Sequence, residues 1–284
     1  MIKVFYTTST HHLQSSIDLP IGLVEFKVFS DGELFVGINE EVRNEEVWVV
    51  AATNPPAKNI LQTLLLLNAL QRAGARINLL FTYFGYARQD KPEPGEAGSG
   101  QYIAELFNQF KLNKILIIHA HSPRLEQYLP FKSIMPYQLF NAPAHHVDAI
   151  ASPDKGAWPL AQKIAQDCDK PVILIEKIRP KKEEVRTVKI MGEAKGKSIL
   201  IVDDMISTGN TILHAATLLK EHGATSISVM ATHNLMHQET IQRLDETDIT
   251  RIFITNTIAS RNQSPKITTI DIGPYIKTII KESK

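Results

Sequence analysis

The chain alternates short apolar runs with longer stretches in which apolar residues recur at a helical period. The runs with the length of buried strands lie at residues 4–6, 47–50, 77–81, 115–118, 172–175, 199–202, 227–230 and 252–254. Strands that alternate with helices are typical of parallel sheets. Because the alternation occurs in both halves, the sequence predicts an α/β fold with two similar domains, each a mainly parallel sheet flanked by helices.

Two helix ends support the division into similar halves. A helix that ends at Gly74 leads into a strand, and a helix that ends at Gly223 does the same. Such joints are common, because glycine readily takes the left-handed conformation that ends helices. We predict an N-terminal domain of residues 1–138 and a C-terminal domain of residues 139–284. A short helical pattern within 270–284 can pack back on the first domain.

Composition narrows the choice of partners. At 284 residues the chain is long enough for two domains of about 100–150 residues each. Its 31 basic and 30 acidic residues nearly cancel, so no overall field favours nucleic acid or an anionic membrane. The single cysteine, Cys168, excludes an internal disulfide and fits a reducing compartment. With no leader pattern and no apolar run long enough to cross a bilayer, we expect a cytoplasmic protein that binds neither nucleic acid nor membrane.

The segment 198–211, S-I-L-I-V-D-D-M-I-S-T-G-N-T, predicts a ligand site. A buried strand leads to two carboxylates and a hydroxyl-rich loop, and a helix follows. In open α/β sheets ligands bind at such junctions, because the N-terminus of the helix offers unpaired N–H groups to an anion. Gly209 would let the backbone approach a phosphate, and the hydroxyls of Ser207, Thr208 and Thr211 can donate to it.

The two carboxylates, Asp203 and Asp204, would repel a phosphate unless they face hydroxyl donors or a metal ion. A phosphorylated sugar suits both halves of the segment, because it carries hydroxyls as well as phosphate. The alternative is that the carboxylates only start a turn and cap the helix, as aspartate often does.

The motif V-D-D-M-I-S-T-G-N-T resembles the ribose 5-phosphate loop shared by phosphoribosyltransferases and ribose-phosphate pyrophosphokinases. The resemblance implies that Asp203 and Asp204 bind the ribose hydroxyls. It also implies that the 5-phosphate is held by Ser207, Thr208, Gly209, Asn210 and Thr211. This loop does not by itself distinguish the two families.

A second motif, Y-F-G-Y-A-R-Q-D at residues 83–90, distinguishes them. On its residues alone it would be an exposed, aromatic-rich loop after a strand. It resembles the ATP-binding segment of the pyrophosphokinases, which implies that Arg88 grips phosphate with its fork of donors and that Gln89 contacts adenine or ribose.

The stretch F-S-D-G-E at residues 29–33 predicts a hairpin turn in which Asp-Gly supplies the positive φ angle. It also resembles the element with which the pyrophosphokinases contact adenine in a neighbouring subunit. The resemblance implies that Phe29, Asp31 and Glu33 bind ATP and that the protein is a homo-oligomer whose ATP site is shared between subunits.

Two further motifs concern the metal. By its spacing, His121 matches the family histidine beside Mg²⁺ and the triphosphate, while His119 stands where the larger branch of the family has aspartate. The motif S-P-D-K-G resembles the pyrophosphate loop whose aspartate, here Asp154, helps to position Mg²⁺. Asp154 could otherwise be a helix cap. Trp158 and Pro159 depart from the small and basic residues common in that loop.

The motif K-I-R-P at residues 177–180 is dense in charge, and by itself it predicts a solvated surface loop. It resembles the mobile catalytic loop of the pyrophosphokinases, which implies that Lys177 and Arg179 meet the charge that develops during phosphoryl transfer. The stretch T-N-T-I at 255–258 extends the resemblance nearly to the end of the chain.

Together these motifs imply a ribose-phosphate pyrophosphokinase that uses Mg²⁺ with ATP and ribose 5-phosphate to make phosphoribosyl pyrophosphate and AMP. Two alternatives stay open. A phosphoribosyltransferase would share the ribose 5-phosphate loop but would have no reason to carry the motifs at 83–90 and 177–180. A non-catalytic regulatory homologue is suggested by Ser207, where the family usually has aspartate, and by Trp158 and Pro159.

Overall fold

The computed structural model describes residues 2–178, 187–260 and 263–283. Its strands are β1 (Lys3–Tyr6), β2 (Val24–Val28), β3 (Leu34–Ile38), β4 (Glu46–Ala52), β5 (Arg76–Tyr83), β6 (Leu112–Ile118), β7 (Lys132–Ile134), β8 (Ala149–Ser152), β9 (Val172–Ile178), β10 (Thr187–Met191), β11 (Ser198–Ile206), β12 (Ser226–Asn234), β13 (Ile249–Thr255) and β14 (Ile267–Ile270). Its α-helices are α1 (Gln14–Ile17), α2 (Lys58–Arg72), α3 (Ser99–Asn108), α4 (Tyr137–Ala144), α5 (Trp158–Asp167), α6 (Asn210–Glu221), α7 (Gln238–Asp245) and α8 (Gly273–Glu282).

The chain divides into two compact units. Unit 1 contains Met1–Met135, Thr257–Ala259 and Asp271–Lys284, and unit 2 contains Pro136–Asn256 and Ser260–Ile270. Unit 1 has a parallel sheet in the order β1-β4-β5-β6-β7 and a separate antiparallel hairpin made by β2 and β3.

The core of unit 1 forms around β4 and β5, which are buried along nearly their whole length. Strands covered on both faces need continuous apolar sequence, and both strands have it. The rings of Phe84 and Phe107 lie edge to face on Phe81, with centroids 5.0 and 4.9 Å from it. Because aromatic edges and faces attract one another, these rings fix the start of the loop that follows β5.

The C-terminal helix α8 belongs to unit 1, where it packs against α1. A Cβ on Gly273 would lie 2.1 Å from Oγ of Ser16, so only glycine fits at this contact. The hydroxyl of Tyr275 donates to the carbonyl oxygen of Met135 at 3.0 Å, and Lys277 pairs with Asp18 at 2.6 Å. These contacts tie the end of the chain to its beginning.

Unit 2 has a seven-stranded sheet in the order β10-β9-β8-β11-β12-β13-β14. All neighbouring strands are parallel except β10, which pairs antiparallel with β9. The central strand β11 begins with a fully buried run, Ile199 to Val202, and α6 covers it with Ile212, Ala215 and Leu219. The ligand segment predicted from the sequence therefore follows the centre of this sheet.

The predicted α/β class with mainly parallel sheets is confirmed. The strand predicted at 199–202 is longer, because its pairing with β12 continues to Ile206, which lies opposite Asn234. Helix α6 likewise begins at Asn210, earlier than its apolar period indicated. Within the described residues, every helix is too short or too polar to cross a bilayer.

Candidate functional site

The loop between β11 and α6 in unit 2 ends at the N-terminus of a helix, a geometry that suits an anion. Gly209 is the residue before the helix and has φ +75°, a conformation that a side chain would strain. Its carbonyl accepts the first helical bond, from the N–H of Leu213 at 2.8 Å. The preceding N–H groups, those of Asn210, Thr211 and Ile212, are therefore first-turn donors at the positive end of the helix dipole.

Helix α7 supports this loop from behind. A Cβ on Gly209 would lie 3.0 Å from Cγ2 of Thr240, so the backbone approaches the helix closely. From the same helix, Arg243 donates to Oδ1 of Asn210 at 2.8 Å and to the carbonyl oxygen of Thr208 at 3.4 Å. Arg243 cannot be recognised from the sequence, because its segment shows only the pattern of an ordinary amphipathic helix.

Asp203 and Asp204 lie within β11 and not after its end. Because the N-cap of α6 is Gly209, the alternative that these carboxylates cap the helix is wrong. Oδ1 of Asp203 accepts the N–H of Asp204 at 2.9 Å. Loss of hydration raises the pKa of Asp203 well above its ordinary value, and the negative charges of Asp204 and Asp154 raise it further. Such a group gains from hydroxyl donors or from a cation.

Asp154 lies in the loop between β8 and α5. Its Oδ1 accepts the N–H groups of Gly156 and Ala157 at 2.9 and 3.2 Å, so the carboxylate shapes the turn that leads into the helix. Asp154 also contributes to the raised pKa of Asp203, so the two carboxylates lie close enough to interact. The structure thus brings together three acidic residues that the sequence proposed from separate motifs.

Lys177 lies on β9 with its Cα opposite that of Val188 on β10. The preceding residue, Glu176, pairs with Lys155 of the Asp154 loop, with Nζ and Oε1 2.6 Å apart. This ion pair connects the Asp154 loop to the strand that carries Lys177. The other predicted catalytic cation, Arg179, lies outside the described residues.

In unit 1 the loop at 83–90 is held by its backbone. The N–H of Gly85 donates to Oγ1 of Thr53 at 2.7 Å, and a Cβ on Gly85 would lie 2.3 Å from the Thr53 carbonyl oxygen. The next residue, Tyr86, has φ +64°, which is strained for a non-glycine residue. Beyond this fixed turn, Arg88 and Gln89 are exposed.

The same loop is joined to the histidine motif. The hydroxyl of Ser122 donates to Oδ2 of Asp90 at 2.6 Å, which ties the end of the 83–90 loop to the segment after β6. In that segment His119 is buried and has φ +44°, and its backbone N–H donates to the carbonyl oxygen of Ile134. His121, by contrast, is exposed. Unit 1 therefore gathers Arg88, Gln89 and His121 on connected loops.

An apolar cavity of about 370 Å³ lies next to this loop, with Tyr86 in its wall and α2 and α3 on its sides. Its other lining residues are almost all apolar, namely Ala57, Ile60, Leu61, Leu64, Ala97, Ser99, Tyr102 and Ile103. Charged donors bind phosphate groups most strongly, and none of the residues in this lining carries a charged side chain. The exposed polar side of the loop is therefore the side suited to a triphosphate.

Residues 29–33 form the predicted hairpin turn between β2 and β3. Gly32 has φ +93°, and the N–H of Phe29 donates to the carbonyl oxygen of Glu33 at 2.8 Å. Oδ1 of Asp31 accepts the N–H of Glu33 at 3.0 Å. The Phe29 side chain is 50% exposed, although its ring lies edge-on to Phe35. An exposed aromatic ring on a rigid turn can stack on a base.

Comparison with known proteins gives consistent matches over both units. The family described as the N-terminal domain of ribose phosphate pyrophosphokinase matches residues 2–110, and the phosphoribosyl synthetase-associated domain matches residues 146–283. The ribose-phosphate pyrophosphokinase of Chlorobaculum tepidum is 33% identical over 89% of this chain and 81% of its own length. That of Mycoplasma pneumoniae is 32% identical over 98% of this chain and 90% of its own length.

A solved structure agrees with these sequence matches. The crystal structure of phosphoribosylpyrophosphate synthetase from Mycobacterium smegmatis superposes with a TM-score of 0.89 at 26% identity. The match covers 99% of this chain and 98% of that one. The similarity therefore includes both units and not the segment 198–211 alone.

Proposed function

The chain belongs to the ribose-phosphate pyrophosphokinase family, and we propose that it transfers the β,γ-pyrophosphoryl group of ATP to the anomeric hydroxyl of ribose 5-phosphate in the cytoplasm. The products are phosphoribosyl pyrophosphate and AMP. Membership of this family makes the chain a diphosphate-transferring enzyme, and it favours that reaction over phosphoribosyl transfer. The assignment of substrates to residues is our proposal.

One observation carries the assignment of ribose 5-phosphate. An anion cradle at the N-terminus of α6 and a pair of carboxylates on β11 lie within one continuous segment. The cradle suits the 5-phosphate, which we assign to Ser207, Thr208, Gly209, Asn210 and Thr211. The raised pKa of Asp203 indicates a site short of donors or positive charge, and ribose hydroxyls supply donors.

We assign ATP to residues of unit 1. Arg88 would hold the phosphates and Gln89 would contact adenine or ribose, because both are exposed on a loop whose preceding turn is fixed. Phe29, Asp31 and Glu33 would contact the adenine bound by a neighbouring subunit, as the family resemblance implies. Light scattering should then show an oligomer, and a fully active monomer would overturn this arrangement.

Mg²⁺ is the cation that would accompany ATP. The carboxylate donors fit it, because Mg²⁺ prefers oxygen ligands and usually takes only one or two from protein carboxylates. Asp154 would position the ion, and His121 would lie beside it and the triphosphate. When bound, Mg²⁺ supplies charge neutralisation of the phosphates.

The transfer needs no protein nucleophile, because the anomeric oxygen attacks the β-phosphorus while AMP leaves in line. The protein has to position the two substrates and stabilise the negative charge that develops. We assign this stabilisation to Lys177 and Arg179. Asp203 and Asp204, by accepting from the ribose hydroxyls, would orient the sugar for attack.

An assay of AMP formation from ATP and ribose 5-phosphate with purified protein tests the function. AMP and phosphoribosyl pyrophosphate should appear in equal amounts, and only when both substrates and Mg²⁺ are present. Formation of a nucleotide from phosphoribosyl pyrophosphate and a free base would instead indicate a phosphoribosyltransferase. Tight binding of both substrates without turnover would indicate a non-catalytic homologue.

A further inference from the structure

Arg243 connects helix α7 to the loop at 207–211. Its Nη2 donates to Oδ1 of Asn210 at 2.8 Å, and its Nη1 donates to the carbonyl oxygen of Thr208 at 3.4 Å. The two acceptors lie on either side of Gly209, so the guanidinium spans the turn. The planar fork of an arginine is suited to such a two-point contact, whereas a lysine ammonium is not.

These bonds orient two polar groups of the loop. The Asn210 amide presents its oxygen to Arg243, so its NH₂ group is the end left for an acceptor such as a phosphate. The Thr208 carbonyl, whose oxygen is also held by Arg243, has its negative end directed toward the guanidinium. Both orientations lower the repulsion that the loop would otherwise offer to an anion.

The charge of Arg243 is not neutralised locally. In the part of the chain that the structure describes, no carboxylate pairs with this guanidinium. Arginine has five N–H donors, and the two bonds to the loop use only two of them. A positive charge therefore stands beside a loop that already offers the N–H groups of a helix N-terminus.

The packing of α7 makes this position stable. Thr240 lies under Gly209, and Leu244 is fully buried. Thr240, Arg243 and Leu244 are spaced so that they share one face of the helix. The helix therefore fixes the turn by contact at Gly209 and by hydrogen bonds on either side of it.

We propose that Arg243 is a positioning residue for the 5-phosphate of ribose 5-phosphate: it sets the conformation of the 207–211 loop and adds positive charge beside it. This inference rests on the proposed function, because it requires the loop to bind a sugar phosphate. The residue acts through Asn210 and Thr208, so its removal affects binding of ribose 5-phosphate and leaves binding of ATP unaffected.

The test is steady-state kinetics of Arg243→Met, with each substrate varied in turn. The variant keeps the volume of an exposed side chain, and we expect the KM for ribose 5-phosphate to rise roughly tenfold, as for loss of one charge-assisted contact. The KM for ATP should change little. The kcat at saturating ribose 5-phosphate should also change little, because Arg243 would stabilise the bound substrate and the transition state equally. Arg251→Met, an exposed arginine on β13 of the same unit, is the matched control and should change neither KM.

Two more variants separate positioning from general damage. Arg243→Lys keeps the charge without the fork, so its KM for ribose 5-phosphate should lie between those of wild type and Arg243→Met. Asn210→Ala should raise this KM at least as much as Arg243→Met, because it also removes a side chain assigned to the phosphate. The double variant should lose less than the sum of the two single losses, because the two changes share the Arg243–Asn210 bond. Additive losses would overturn the proposed action through Asn210.

The outcomes distinguish this inference from the proposed function. If wild type forms AMP with ribose 5-phosphate and Arg243→Met has an unchanged KM for it, the role of Arg243 is wrong and the function stands. An equal rise in both KM values, with a lower melting temperature, would mean general structural damage and would also overturn the role. If wild type neither binds nor uses ribose 5-phosphate, the proposed function itself fails. Should Arg243→Met not fold, Arg243→Lys decides, and an unchanged KM there refutes the inference.

Discussion

The proposed ribose 5-phosphate loop of unit 2 and the proposed ATP segments of unit 1 are built in different ways. The first is one continuous segment, 198–211, in which a buried strand, two carboxylates and a helix N-terminus follow each other. The second consists of exposed side chains on separate turns at 29–33 and 83–90. In the first region, backbone N–H groups would supply most of the contacts to the phosphate. In the second region, side chains would supply the contacts to ATP.

This difference determines how each region can fail. A backbone cradle depends on turn geometry, so it is sensitive to substitutions that change the turn and less sensitive to the loss of any single hydroxyl. Exposed side chains that bind a ligand depend on what holds their loop in place, here the contact between Gly85 and Thr53. Four tests, ordered from the largest expected effect to the smallest, probe this contrast.

The largest effect should come from a residue that belongs to neither substrate region. Lys177→Ala or Arg179→Ala should lower kcat by roughly 10²–10³-fold, the range for removing one group that stabilises developing charge. Affinity for ribose 5-phosphate, measured by calorimetric titration, should stay nearly intact, because the cations act chiefly in the transition state. Lys189→Ala, on the neighbouring strand β10, is the control and should retain wild-type turnover. Unchanged kcat in both loop variants would mean that the catalytic cations have been misassigned.

Gly85→Ala tests the support of the loop at 83–90, which we propose binds ATP. Its Cβ would lie 2.3 Å from a backbone oxygen of Thr53, so the loop has to shift. We expect a loss of about 1–3 kcal/mol in the free energy of unfolding, as for other overpacked sites. The KM for ATP should rise, while calorimetric affinity for ribose 5-phosphate stays unchanged.

The control for this loop is Gly98→Ala, since the nearest atom to that Cβ would lie 3.5 Å away. It should leave both affinities close to those of wild type, with only the small loss of stability expected when alanine replaces a glycine N-cap. If Gly85→Ala were equally harmless, the fixed turn would not be what positions Arg88 and Gln89.

Asp204→Asn tests the carboxylates of unit 2. Asparagine keeps the shape and one acceptor but removes the charge, so ribose 5-phosphate should bind more weakly by about 1–3 kcal/mol, the range for a hydrogen bond to a charged group. Asp248→Asn, an exposed carboxylate elsewhere in unit 2, should bind like wild type. Calorimetry on the three proteins measures the difference, and equal affinities would mean that Asp204 faces no ribose hydroxyl.

The sequence predicted what local pattern controls. Apolar runs and glycines predicted the end of α6 near Gly223, the hairpin at 29–33 and eight strands of the two large sheets, namely β1, β4, β5, β6, β9, β11, β12 and β13. They did not predict β7, β10 and β14, which lie at the edge of a sheet, or β8, which is short. The continuous segment in unit 2 could be recognised as a site because its residues are adjacent in the chain. The site residues nevertheless remain proposals, since resemblance supplies their roles.

What the sequence did not predict depends on contacts between distant segments. The extension of β11 to Ile206 follows from pairing with β12, and the contact of Arg243 with Asn210 joins two different helices. The interaction of Asp154 with Asp203 likewise requires β8 and β11 to be neighbours in the sheet. No local pattern records such pairings.

Asp203→Asn gives the smallest predicted effect, and its sign is opposite to that of most substitutions. In the folded protein, loss of hydration and the charges of Asp204 and Asp154 raise the pKa of Asp203, whereas in the unfolded chain it ionises near its ordinary value of about 3.9. Between these two pKa values the folded protein binds a proton that the unfolded chain has lost, so stability falls as pH rises through this window. At pH 7, above the ordinary pKa of an aspartate, the Asp203 carboxyl group therefore lowers the stability of the folded protein.

Asparagine removes this penalty and can still accept the N–H of Asp204, so Asp203→Asn should be more stable than wild type at pH 7 by about 0.5–2 kcal/mol while binding ribose 5-phosphate more weakly. The difference in stability should shrink at acid pH, where wild type is protonated in both states.

Asp148 is the opposite case, because hydrogen bonds from Ser198 lower its pKa, and Asp148→Asn should lose stability at neutral pH. Thermal unfolding of both variants between pH 4 and pH 8, a range of roughly the ordinary carboxyl pKa to above neutrality, measures the two signs. A less stable Asp203→Asn would mean that the carboxylate supports the fold. The proposal that Asp203 lowers stability while it contributes to sugar binding would then be wrong.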